Sequence, residues 1–171
     1  MKFYSFLFLM VFSFQSTALS NNEKTVKEID KTYKKILLKY ITLSNMNTGC
    51  ALHGFYAGYL NESSSDYIES MKAGEASIDA AKENLKEYIR ALKKAGNNEM
   101  KIKRLQNSLD HTKIETIKKG LTNLYKKEGP QGLFKTLREM FDAEENDVLP
   151  IWLNTCVDAV KYTNFILSTE K

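Results

Sequence analysis

Between residues 65 and 95 the apolar positions fall on a seven-residue beat. Met71, Ile78, Leu85 and Leu92 recur at that interval, and Gly74, Ala81, Tyr88 and Ala95 fill the half-turns between them. A repeat of this kind marks a helix packed at a shallow angle on its neighbours. Ser65 or Asp66 is placed to open it, with Glu69 completing the cap. Ala95-Gly96-Asn97-Asn98 is placed to end it, since Gly or Asn just past the last turn closes a helix.

Three- and four-residue steps predict further helices on either side. A first helix is expected from Thr25, with Glu28 as the partner in a capping box. Its apolar face is Val26, Ile29, Tyr33, Ile36/Leu37, Tyr40 and Leu43. Beyond it two readings stand side by side. Either the polar patch at 44–49 breaks the helix, or the helix runs on through Cys50 to Leu60. Asn61-Glu62-Ser63-Ser64-Ser65 reads as a loop. A third helix is expected near Asn98 to Lys127, with Ile102, Leu105, Leu109, Ile114, Ile117, Leu121 and Leu124 on its face. The five-residue step from Leu109 to Ile114 predicts a bend near His111-Thr112.

Glu128-Gly129-Pro130-Gln131-Gly132 reads as a stop and turn. A shorter fourth helix then carries Leu133, Phe134, Leu137, Met140 and Phe141. The last helix is expected to start from the acidic stretch 142–147, with Pro150 tolerated in its first turn. Its predicted face is Leu149, Trp152/Leu153, Cys156, Val160 and Phe165 or Leu167. The chain has two prolines and no alternating Val/Ile/Thr stretch. The pattern therefore predicts an all-α, up-and-down bundle of four to five helices.

Residues 1–20 have a different character. Met1-Lys2 precede an apolar run from Phe3 to Phe14, and a small-x-small exit follows at Ala18 and Ser20. The run is shorter than the ~20 residues a spanning helix needs. It reads as a secretory signal peptide cleaved near Ser20, leaving residues 21–171 as one exported domain, periplasmic or extracellular, with no transmembrane segment. Export decides how the cysteines are read. Cys50 and Cys156 are the two in the chain, and in an oxidising compartment they are expected to form one disulfide bracing the bundle. Both are expected on inward faces. On the chain-entropy model, closing a loop of this length contributes roughly 4–5 kcal/mol.

Charge narrows the function classes. Residues 21–171 carry 24 Lys and Arg against 21 Asp and Glu, a net of +3. That balance does not imply nucleic acid, which calls for a concentrated basic stripe. Basic residues gather on the predicted third helix, where Lys118 and Lys119 lie, and residues 129–171 are net −3. The asymmetry suits either a solvated face answering an acidic one or the steering of an acidic partner.

The least ordinary stretch is 49–60. If it is helical, Cys50, Gly54 and Gly58 share one face with almost no side chains, flanked by Phe55, Tyr56 and Tyr59. Glycine in a helix interior costs roughly 0.5–1 kcal/mol, so a compensating contact is expected. Gly54 and Gly58 are read as close-packing positions for the C-terminal helix, and Phe55, Tyr56 and Tyr59 as a partner-binding surface. Over nine residues, Cys50, Gly54-Phe55 and Gly58 resemble the Cys, Gly-Tyr, Gly pattern of small exported bacterial immunity proteins. The Cys–Gly spacing differs by one and Phe stands in place of Tyr, so no family is assigned on it.

The two histidines, His53 and His111, make an incomplete zinc site, and no metal is expected. Met46, Met71, Met100 and Met140 would be the methionine candidates for a bundle haem, although covalent haem is excluded for want of Cys-x-x-Cys-His. The acidic run from Asp142 fails the EF-hand pattern, with Asp147 and Leu153 where Gly and Glu belong. Asn61-Glu62-Ser63 is a glycosylation sequon. No nucleophile elbow, phosphate loop, HExxH or spaced carboxylate pair occurs. The chain is therefore expected to be a secreted or periplasmic non-catalytic protein without a cofactor that binds a protein partner, as an inhibitor, immunity or interaction module. The alternative is a carrier of a small apolar ligand or haem in the bundle core.

Overall fold

The computed structural model describes residues 21–96, 99–141 and 155–169. Five helices run along them: α1 (Asn21–Tyr56), α2 (Ser65–Lys94), α3 (Glu99–His111), α4 (Ile114–Phe141) and α5 (Cys156–Thr169). Among the described residues there is no strand. A disulfide joins Cys50 on α1 to Cys156 at the head of α5, their Cα atoms 5.7 Å apart. The architecture is an all-α bundle braced by one disulfide. Residues 1–20, expected to be a leader, the acidic stretch at 142–147 and the apolar residues at 149–153 lie outside the described residues.

α1 and α2 share the most extensive helix–helix contact; α4 packs chiefly on α1, α3 on α2, and α5 on both α1 and α2. α1 is helical from Asn21, so Thr25 and Glu28 lie inside the helix rather than capping it. The polar patch at 44–49 does not break α1, which continues to Tyr56. Ser44, Asn45 and Asn47 donate to partners that do not compete with the helix, while Thr48 Oγ1 is buried without one. Asn45 Nδ2 and Asn47 Nδ2 donate to the carbonyls four residues back, Ile41 O at 2.9 Å and Leu43 O at 2.8 Å. Ser44 Oγ crosses to α2 and donates to Gly74 O at 2.7 Å. Asn47 Nδ2 also donates to Thr163 Oγ1 of α5 at 2.9 Å.

Two glycines make these approaches possible. A Cβ at Gly74 would stand 2.5 Å from Thr48 Oγ1, and one at Gly49 would stand 2.6 Å from Leu137 Cδ2 of α4. The predicted close-packing pair behaves differently. A Cβ at Gly54 would meet Leu60 of its own turn, and Gly58 has nothing within 4 Å. Gly58 lies beyond α1 at φ +77°. Tyr59 N–H donates to Gly54 O at 2.9 Å and Gly58 N–H to Phe55 O at 3.1 Å. This is the Schellman pattern, with Gly58 as the left-handed residue after the helix. Gly54 and Gly58 therefore cap α1; they do not seat the C-terminal helix.

α2 follows its heptad: Met71, Ile78, Leu85 and Leu92 are buried, as are Gly74, Ala81 and Tyr88. The cap position is Ser64, one residue before the expected opener, and its side chain makes no capping bond; Ser65 Oγ reaches Glu69 Oε1 at 3.1 Å within the first turn, and Gly96 at φ +66° ends the run. The expected third helix is two helices, parted at Thr112-Lys113, where the five-residue step in the apolar pattern lies. Gly129 (φ 70°, ψ −171°) kinks α4, and Pro130 opens the next helical turns, where its missing N–H costs little. Leu133 and Leu137 are buried beyond the kink, whereas Phe134 is exposed.

α5 is capped by Thr155, whose Oγ1 accepts from Asp158 N–H at 3.1 Å and donates to Asp158 Oδ2 at 2.6 Å. It buries Ala159, Thr163 and Ile166. Val160 and Leu167 are half-buried, and Phe165 is exposed. The predicted face is thus rotated, because Asn47 draws Thr163 inward. Cys50 is buried, but Cys156 is exposed rather than inward-facing. At the other end of the bundle, Asp30 of α1 accepts from Tyr88 Oη at 2.5 Å and from Lys101 Nζ at 2.6 Å on the same oxygen. Tyr33 stacks on Tyr88 with ring centroids 5.3 Å apart. Burial, then the hydrogen bond to Asp30, push the Tyr88 phenol well above its ordinary range. The phenol therefore stays protonated and donating.

Three outcomes follow for stability. Thr48 Oγ1 and Asn47 Oδ1 are buried with no hydrogen-bond partner. Thr48→Val should therefore be neutral or stabilising in urea denaturation, while Ser44→Ala loses a buried bond and about 0.5–1.5 kcal/mol. Replacing Cys50 and Cys156 together by Ala should cost up to roughly 4–5 kcal/mol on the loop-entropy model, read as a lower urea midpoint.

Candidate functional site

The end of the bundle where α1 turns into α2 gathers the aromatic residues singled out in the sequence. Phe55, on the last turn of α1, lies edge-on to Tyr56 with centroids 5.5 Å apart and 6.0 Å from Tyr67 of α2. Tyr67 is buried with Met71 and Ala51, against Leu60 and Ile114. Its phenol is pushed up by burial first, then by the charge of Glu62 and by Tyr56. Above this floor Tyr59 is 80% exposed, and Phe55 and Ile68 are each 37% exposed. Glu62, Asp66 and Glu69 are exposed on the loop and first turns of α2. The result is an apolar, aromatic surface with an acidic rim.

Tyr56 does not belong to that open surface. Its ring stacks on Tyr125 of α4 with centroids 3.9 Å apart and planes 4° from parallel. Its Oη is 3.1 Å from Thr122 Oγ1. Tyr56 therefore joins α1 to α4. Lys118 stands one helical turn before Thr122 on the same face of α4 and is half-buried; Lys119 is exposed. Of the other cations on the expected third helix, Lys101 is taken up by Asp30 at 2.5 Å. Ile68, which the sequence reading missed, sits just ahead of the α2 heptad, and its exposure follows from the path of the turn. Tyr125 was signalled by its place beside Leu121 and Leu124.

His53 is half-buried and lies against Phe134, ring centroids 5.4 Å apart. Its loss of water holds it below the usual histidine range. His111 is exposed at the end of α3. No group of three or more His, Cys, Asp or Glu able to hold a metal occurs among the described residues. Met46 packs with Leu137 and Ala159, and Met71 with Ala51 and Tyr67, so both serve as core. Met100 is exposed; the side chain of Met140 lies outside the described residues. An open groove of about 560 Å³ between the end of α2 and α3 is lined by Lys93, Glu99, Ile102, Lys103 and Gln106. No helix among the described residues is long and apolar enough to cross a membrane. Comparison with known proteins finds no matching family model, no matching curated protein and no matching solved structure.

His53 provides a pH test. Burial holds its folded-state pKa below the ordinary histidine value of 6.5, so on acidification through that value the unfolded chain binds the proton first. The stability gained above pH 6.5 is then lost as pH falls through the lowered folded value. The urea midpoint should fall as the solution is acidified below about pH 6.5, ahead of the carboxylates. His53→Gln should flatten the profile there.

Proposed function

We propose that this is an exported, non-catalytic helical protein that binds a protein partner through the α1–α2 end of its bundle. The observation that carries the reading is three exposed apolar side chains at the α1–α2 end, Tyr59 at 80% on the turn fixed by the Gly58 cap, Phe55 at 37% on the last turn of α1 and Ile68 at 37% on the first turn of α2. Large apolar side chains exposed together favour a partner surface over chance, and tyrosine is enriched among residues that dominate binding energy. A preorganised turn loses little freedom when a partner docks. Glu62, Asp66 and Glu69 favour a partner that brings apolar groups together with basic ones. Lys118 and Lys119 on α4 form a second, electrostatic flank that adjusts the rate of encounter more than the final affinity.

Support for export comes from the basic-apolar-small pattern of residues 1–20 and from the disulfide, which persists in oxidising compartments. A non-catalytic role is supported by the want of any recognisable catalytic motif in the sequence. The alternative, a carrier of a small apolar ligand or haem, is separated by native mass spectrometry of the purified protein: a co-purifying small molecule favours the carrier.

Phe55→Ala/Tyr59→Ala should leave the thermal unfolding midpoint nearly unchanged and weaken capture of the partner at least tenfold, the equivalent of about 1.4 kcal/mol. Tyr56→Ala should instead lower the midpoint itself, through loss of the Tyr125 stack. Partner capture by the Phe55/Tyr59 double variant equal to that of the unaltered protein would remove this surface from consideration.

A further inference from the structure

We propose that Asn61 is an acceptor for an N-linked oligosaccharide, attached during passage through a eukaryotic secretory route. The inference rests on the export reading above. Asn61 is the one asparagine in the chain followed two residues later by Ser or Thr, and the residue between is Glu62, not proline. Asn61, Glu62 and Ser63 are all exposed, at the tip of the α1–α2 turn and outside both helices. A glycan is bulky and hydrated, so its site must lie where no helix has to move to admit it.

The local geometry suits the chemistry. Asn61 Oδ1 accepts from Ser63 N–H at 2.9 Å, which holds the carboxamide next to the serine that completes the sequon. The bond uses the oxygen, whereas the sugar is carried by the nitrogen. The main chain around it is fixed by Asn61 N–H donating to Ser64 Oγ at 2.9 Å and Ser64 N–H donating to Asn61 O at 2.9 Å. Leu60 turns inward over Gly54, so the attachment point faces away from the packed cluster. In the transfer, Asn61 Nδ2 bonds to C1 of the reducing-end sugar of a lipid-pyrophosphate-linked oligosaccharide. The C1–oxygen bond to the pyrophosphate breaks, the lipid pyrophosphate leaves, and the amide proton passes to a carboxylate of the transferase.

The test is to produce the full chain, residues 1–171, in cultured eukaryotic cells and to analyse the medium by intact and peptide mass spectrometry. The expected result is a secreted chain whose peptide spanning residue 61 carries N-acetylhexosamine. Peptide N-glycosidase should remove the added mass and leave an aspartate in place of Asn61. Asn61→Gln and Ser63→Ala should each abolish the added mass, while Ser63→Thr keeps it. A parallel chain with residues 1–20 exchanged for an established leader separates the two readings. Modification only after that exchange upholds the acceptor and overturns the export reading; secretion of either version with Asn61 bare overturns the acceptor.

Discussion

The middle of α1 is enclosed by other helices on nearly every side, and Ser44 and the Asn47 amide nitrogen are bonded from within while Thr48 Oγ1 is not. Ser44, Asn47 and Thr48 are as buried as Leu43 and Met46. An unpaired polar group in such a place costs about 1–3 kcal/mol, so the neighbours of α1 are set by where those groups can bond and where a backbone can come close. Gly74 lets α2 approach near enough for its carbonyl to accept from Ser44. Gly49 leaves room for Leu137 and brings in the second half of α4. Asn47 fixes the rotation of α5 by donating to Thr163, and Cys50, on the next turn, holds the head of that same helix covalently. α1 thus serves three partners through residues that look, one by one, like helix breakers.

Each end of the bundle has its own lock. At one end the Asp30 carboxylate gathers Tyr88 of α2 and Lys101 of α3, with both side chains of the ion pair largely withdrawn from water. At the other, the Gly58 cap reverses the chain, sends Leu60 inward and leaves Tyr59 outside. The proposed docking surface and the proposed glycan acceptor both lie on that reversal. A side chain exposed on a turn with a fixed backbone keeps its geometry when it meets a partner, which is why the firmness of the cap matters to function as much as the ring itself.

Much of the helical framework was legible along the chain. The α2 heptad, its Gly96 terminus, a bend where the apolar pattern takes a five-residue step and a stop at Gly129-Pro130 each report a local rule of period, cap or backbone conformation; the structure makes the bend a full break and the stop a kink. What could not be read were properties of pairs. Nothing local distinguishes Gly58 as a cap from Gly74 as a contact, because one answers to its own φ and the other to the hydroxyl of Thr48 from a different helix. Tyr56 and Tyr59 are three residues apart and of one type, yet one is stacked on Tyr125 and the other stands in solvent.

The amino-acid sequence by itself determined that the described residues form a helical bundle, where α2 stops and which two cysteines are joined, because spacing, capping residues and a count of two leave little else. Tertiary structure decided that α1 runs unbroken through its polar middle, that α5 turns Thr163 inward while Cys156 stays at the surface, and which aromatic rings remain open at the α1–α2 end. Those outcomes depend on hydrogen bonds and close contacts between residues distant in sequence, and such contacts leave no period in the chain to be read.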